Sequence, residues 1–156
     1  MPANYNDSIQ KAIQQYDAAF HLLHVTFPLI KDPKLLMGII SNINQSLEAV
    51  MDTILQYERQ LRLVPNYQDN FQSKFNLFRY KCVRRNNIPP EMIKLMVELK
   101  ELEELHRKCP VTFQRGNKYV ISTQNYQLKI ISLKDIKGYI DRTKEYIDLL
   151  DQIIRL

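Results

Sequence analysis

A mainly α fold, a bundle of about five helices with a small β-hairpin inserted before the last one, is what the sequence predicts, and three observations predict it. Apolar residues recur at spacings of three and four in five separate segments, which is the period of one buried helical face. Between about residues 111 and 131 that period drops to two, the period of a strand. Only 3 of 156 residues are glycine, which argues against a β-barrel or a glycine-rich nucleotide loop. A chain of this length buries roughly 70% of its extended surface on folding, so residues 1–156 are read as one domain.

The elements follow in order. Asn6 or Asp7 caps a first helix whose inward face is Ile9, Ile13, Tyr16, Phe20, Leu23 and Phe27, with Pro28 marking its end. Asp32 and Pro33 read as the cap and first residue of a second helix, because proline has the right φ and no N–H to leave unpaired. Leu36, Ile39, Ile40, Ile43, Leu47, Val50, Met51, Ile54, Leu55 and Leu61 carry it for some thirty residues, about 45 Å. Val64-Pro65-Asn66 interrupts the pattern, and Asp69 or Asn70 caps a third helix with Phe71, Phe75, Phe78 and Cys82 inward. A fourth runs from Pro90 through Ile93, Val97, Leu99, Leu102 and Leu105 to about Arg107. Val111, Phe113, Tyr119, Ile121, Tyr126, Leu128 and Ile130 then alternate around the turn Arg115-Gly116-Asn117-Lys118, giving two or three short strands. Ser132 and Asp135 form a capping box opening the last helix, which Ile136, Ile140, Ile147, Leu150 and Ile154 carry onward.

Apolar runs such as Leu35–Ile40 fall far short of the roughly 20 residues that cross a bilayer, and Met1–Gln10 shows no secretory pattern, so a cytoplasmic protein with no membrane partner is expected. Cys82 and Cys109, with no second pair, exclude a C-x-x-C redox motif or a cysteine-based zinc site and fit free thiols better than a disulfide joining them. No metal and no cofactor is expected. His21 and His24 at i and i+3 supply two ligands where a site needs more, and Glu103-x-x-His106 is a single copy of an element that di-metal bundles use twice. No nucleophile, base and orienting group assemble in the sequence, which weighs against an enzyme.

The net charge of +5 is unevenly placed. Residues 57–87 carry seven cations against Glu58 and Asp69, residues 109–131 carry Arg115, Lys118 and Lys129 without an acid, and residues 1–56 are net negative. Tyr57, Tyr67, Phe78 and Tyr80 interleave with the first group. Cations that neutralise phosphates beside rings that stack on bases suit RNA or single-stranded DNA. The expected contact residues are Arg79, Lys81, Arg84 and Arg85 on the third helix with Arg115 and Lys118 on the hairpin, and the expected partner is RNA or an acidic protein.

Lys100, five intervening residues and His106 resemble the motif of the HEPN superfamily of helical-bundle ribonucleases and toxins, in which arginine precedes histidine by a similar spacing. Lysine stands where that family has arginine, and keeps the charge while losing the bidentate fork. The resemblance spans seven residues and the all-helical outline. It implies a degenerate bundle or, in its active form, an RNA-cleaving enzyme with His106 as general base and Lys100 on the phosphate. The chain is also similar to small helical proteins of archaea, which implies no activity. Three readings therefore stand: a non-catalytic binding module, a HEPN-like ribonuclease, and a structural unit that forms a homodimer.

Overall fold

The computed structural model describes residues 4–108, 112–116, 118–122 and 128–154. Five helices and a three-stranded antiparallel sheet are present, with the sheet placed before the last helix as expected. Val111, Cys109, Asn117 and Tyr126, used in the sequence reading, lie outside the described residues.

Helix α1 runs as Tyr5–His21, a π-helical turn Leu22–Thr26, and Phe27–Ile30. Its cap is Asn4, whose side chain accepts from the Asn6 amide, rather than Asn6 or Asp7. Pro28 does not end it. Proline cannot donate to the carbonyl four residues back and its ring crowds that carbonyl. Widening one turn, with the Phe27 amide on the Leu22 carbonyl, carries the helix across. Lys31 ends it instead, in the left-handed conformation at φ 57°.

Asp32 Oδ1 accepts from the Lys34 amide at 3.0 Å and opens α2, Lys34–Gln60. This is the central helix. Ile39, Ile40, Ile43, Leu47, Met51, Ile54 and Leu55 are fully buried on it, reaching several sides of its circumference. Small residues let α1 lie close against it: Ala12, Ala19, Ala49 and Thr53 are buried, and the Ser46 hydroxyl donates to the Ala12 carbonyl at 2.7 Å. That contact corrects the expected face of α1. Ala12 and Ala19 point inward, whereas their larger neighbours Ile13 and Phe20 are exposed.

Asn70 caps α3 by accepting from the Ser73 amide at 2.8 Å. The helix runs as Phe71–Leu77, a second π-helical turn Phe78–Cys82, and Val83–Arg85, with Phe75, Phe78 and Cys82 buried. Helix α4, Glu91–Lys108, is tied to α2 by the buried Asn44 amide donating to the Leu99 carbonyl at 3.0 Å. Strands β1 (Thr112–Arg115), β2 (Lys118–Ser122) and β3 (Leu128–Ser132) pair in that order. Ser132 then caps α5, Leu133–Ile153, in the expected box with Asp135. The Tyr139 hydroxyl donates to Glu98 at 2.9 Å and joins α5 to α4.

The sheet faces differ from the expected alternation. Tyr119, Ile121 and Ile131 enter the core, while Phe113, Leu128 and Ile130 are exposed. With Arg115 opposite Lys118, Phe113 must pair with Val120 and Val120 with Ile130, so those residues share the face turned from the core, on which the central Val120 is buried and the flanking two are exposed.

Contacts along α2 set the two ends of the bundle. Near its start lie the end of α1 and the sheet, since the Phe27 and Tyr119 rings meet edge-on at 5.9 Å. Near its end lie the start of α1, with Tyr5 against Tyr57 at 5.8 Å, and the end of α3, with Arg85 on Glu58 at 2.9 Å. Lys34 and Glu58 are separated by about 36 Å along the helix axis.

Candidate functional site

The six cations expected to bind a partner fall into two groups at these opposite ends. Arg115 and Lys118 are exposed, facing each other across the hairpin turn, where Gly116 takes φ 64°. Arg79, Lys81 and Arg84 are exposed on α3, with the Arg79 guanidinium 5.6 Å from the ring of Tyr80. Arg85 has a structural job, because Glu58 is buried and holds it. Glu58 also accepts from the Cys82 thiol at 2.7 Å and the Asn86 amide at 3.1 Å. Burial and this carboxylate push the Cys82 thiol well above its usual range.

Two more cations of the middle segment are engaged. Lys74 is buried at 7% exposure, with its ammonium 3.0 Å from Asp52, 3.4 Å from Asp69 and 3.7 Å from Glu48. Burial alone would lower its pKa, but the hydrogen bond to Asp52 and the surrounding carboxylates outweigh that and hold it above the ordinary lysine value. Burial pushes Asp52 the other way for an acid, upward, against the pull of Lys74. The Arg59 guanidinium stacks on Tyr67, 4.9 Å from the ring centre. Together these groups line a polar cleft of about 710 Å³ that also takes in Ser8, Lys11 and Gln56.

At the sheet end the balance reverses. The end of α1, strands β1 and β2 and the start of α5 enclose a cleft of about 590 Å³. Lys31, Lys134 and Lys137 line it together with His24, Gln114, Tyr119 and Ser132, and among the described residues no carboxylate does. Among the described residues none of the three lysines makes an ion pair. Asp32 and Asp135 adjoin Lys31 and Lys134 in sequence, but the carboxylate of Asp32 accepts from the Lys34 amide and that of Asp135 from the Ser132 amide in the capping box. The π-helical turn that carries α1 past Pro28 supplies Leu23 and His24 to the wall, and the left-handed turn at Lys31 places that residue at the rim. Tyr119 is only 4% exposed, and burial raises its phenol pKa, so it remains a hydroxyl at neutral pH. Reasoning from the sequence missed this cleft. Its lysines belong to a net-negative N-terminal third and a balanced last helix, and only the fold brings them together.

Lys100 and His106, the HEPN-like pair, line one cleft of about 600 Å³ with Lys34, Ser41 and Glu103. The Lys100 ammonium lies 4.0 Å over the Phe71 ring and 3.9 Å from Glu48. His21 and His24 are exposed, and among the described residues no three His, Cys, Asp or Glu side chains converge as a metal site. No helix of the described chain is long and apolar enough to cross a membrane. No known protein family, curated protein or solved structure matches the chain.

Proposed function

We propose that the protein is a non-catalytic binding module of the cytosol that takes single-stranded RNA through the basic sheet end of the bundle. One observation carries this reading: Lys31, Lys134 and Lys137 line a single cleft whose described residues include no carboxylate. Exposed ammonium groups near one another repel, and a bound polyanion relieves that repulsion while releasing its own condensed counterions. Arg115 and Lys118 lie at the same end of the bundle but on the other face of the sheet from Gln114 and Tyr119, whereas Arg79, Lys81 and Arg84 form a separate patch at the far end. RNA is favoured over an acidic protein because the exposed His24 adds a ring surface beside the cations, and bases stack on rings.

Fluorescence anisotropy tests the choice. A labelled single-stranded RNA should bind at 50 mM salt, on the order of micromolar, and poly-glutamate of equal charge should compete poorly. Efficient competition by poly-glutamate would favour an acidic protein partner instead.

A second reading has its own observation, the placement of Lys100 and His106 in one cleft. Under it the chain is a HEPN-like ribonuclease. RNA cleavage that disappears with His106→Ala would establish it, and stable RNA through a long incubation would remove it.

A further inference from the structure

We infer that the cleft between the end of α1, the hairpin and the start of α5 is a seat for one phosphate group, gripped by Lys31, Lys134 and Lys137 and by the hydroxyl of Tyr119. The inference rests on the reading of this cleft as the polyanion site and adds the group that occupies it.

The chemistry of the lining selects the ligand. A buried hydroxyl ordinarily finds a partner, and among the described residues that of Tyr119 has none, although its ring is well packed on Phe27. The nearby lysines cannot provide an acceptor, because an ammonium only donates. The Ser132 hydroxyl accepts from the Asp135 amide at 3.1 Å. The Gln114 amide donates to the Gly116 carbonyl. In the first turn of α5, the amides of Leu133 and Lys134 have no acceptor within the helix, and add two more donors next to the cleft. Three ammonium groups, a phenol and two amides around a space free of carboxylates call for a compact anion with several acceptor oxygens and more than one negative charge. A phosphate monoester meets both conditions, whereas a carboxylate brings two oxygens and a single charge.

The phosphate could belong to the end of a nucleic acid or to a free small molecule, and one set of measurements separates them. Amide chemical shifts of the full-length protein are followed by NMR as inorganic phosphate is added at low ionic strength, for the wild type and for Tyr119→Phe. Saturable shifts at Leu133 and Lys134 are expected, with affinity falling roughly tenfold in the variant, the size of one hydrogen bond to a charged group. Thermal melting should show Tyr119→Phe at least as stable as the wild type, since the hydroxyl it removes has no partner in the described chain. Absence of saturable shifts in the wild type, or equal affinity in the two proteins, overturns the phosphate seat. In the second arm, 5′-phosphorylated and 5′-hydroxyl RNAs of one sequence are compared. Tighter binding of the phosphorylated RNA that vanishes in Tyr119→Phe supports the seat and assigns it to a nucleic-acid end. Equal binding of the two RNAs alongside specific phosphate shifts supports it as a site for a free phosphate. RNA binding without phosphate shifts overturns the seat and leaves the broader RNA reading standing.

Discussion

Two clefts of similar volume, one around Lys74 and one around Lys31, Lys134 and Lys137, treat their lysines in opposite ways. Lys74 is buried and ringed by Glu48, Asp52 and Asp69, so its charge is neutralised within the fold and fixes α3 against α2. The other three lysines stand in solvent with no acid among the described residues of the cleft wall. The difference teaches that a charge count along the chain does not locate a binding surface. Residues 57–87 hold the largest positive excess, yet Arg59, Lys74 and Arg85 there are engaged by Tyr67, by three carboxylates and by Glu58. The cleft at the sheet end draws its three lysines from segments that are neutral or negative when counted along the sequence.

The largest effect that sharpens this comparison is on stability, at Lys74. Lys74→Met leaves Asp52 and Glu48 close together without their cation and should destabilise the fold by about 2–3 kcal/mol, less than for a wholly buried pair because the acids are partly solvated. Urea denaturation would measure it. Because the folded state raises the Lys74 pKa, its contribution is complete below the ordinary lysine value of 10.5 and disappears as pH rises through the higher folded value. The difference between variant and wild type should therefore hold across neutral pH and shrink in strong alkali, as Lys74 loses its proton, and in acid, as Asp52 and its neighbours gain theirs. A loss below 0.5 kcal/mol would mean that the three carboxylates do not clamp this lysine.

A smaller effect concerns Cys82, at the same end of the molecule. The thiol is fully buried, and desolvation with the Glu58 hydrogen bond keeps it protonated. It should react with a disulfide reagent about as slowly as the protein opens, and Glu58→Gln should speed that reaction by loosening the end of α3. Labelling of Cys82 at the rate of a free thiol would contradict the packing of α3 on α2.

The helices were legible because their signals are local and redundant. The Asp32-Pro33 start, the Ser132–Asp135 box and the long apolar stripe of α2 each fix a boundary or a face without reference to the rest of the chain. What was not legible came from packing. Ala12 and Ala19 win the inward face of α1 over Ile13 and Phe20 because small residues let two backbones approach, and hydrophobicity along one helix does not report on its neighbour. Pro28 reads as a stop, and only a π-helical turn upstream lets the helix pass it. The sheet faces were within reach: a two-residue turn with Arg115 opposite Lys118 already pairs Phe113 with Val120 and away from Tyr119. The adjacent apolar residues Ile130 and Ile131 leave the phase of β3 open until the core chooses between them. The lysine cleft was beyond any local reading, since its parts are separated by about a hundred residues of chain.

The most direct measurement of the central claim compares two triple charge reversals in one titration. Lys31→Glu, Lys134→Glu and Lys137→Glu remove the positive lining of the sheet-end cleft, and Arg79→Glu, Lys81→Glu and Arg84→Glu alter the exposed patch on α3 by the same charge. RNA affinity is measured for each from low to high salt. Single-stranded RNA that engages four cations gives a slope of log K against log salt of roughly −3. The account predicts that reversal in the cleft weakens binding more than tenfold and flattens the slope towards zero, while reversal on α3 changes affinity by about twofold with the slope kept. Equal losses in the two variants, or a greater loss on α3, would contradict it.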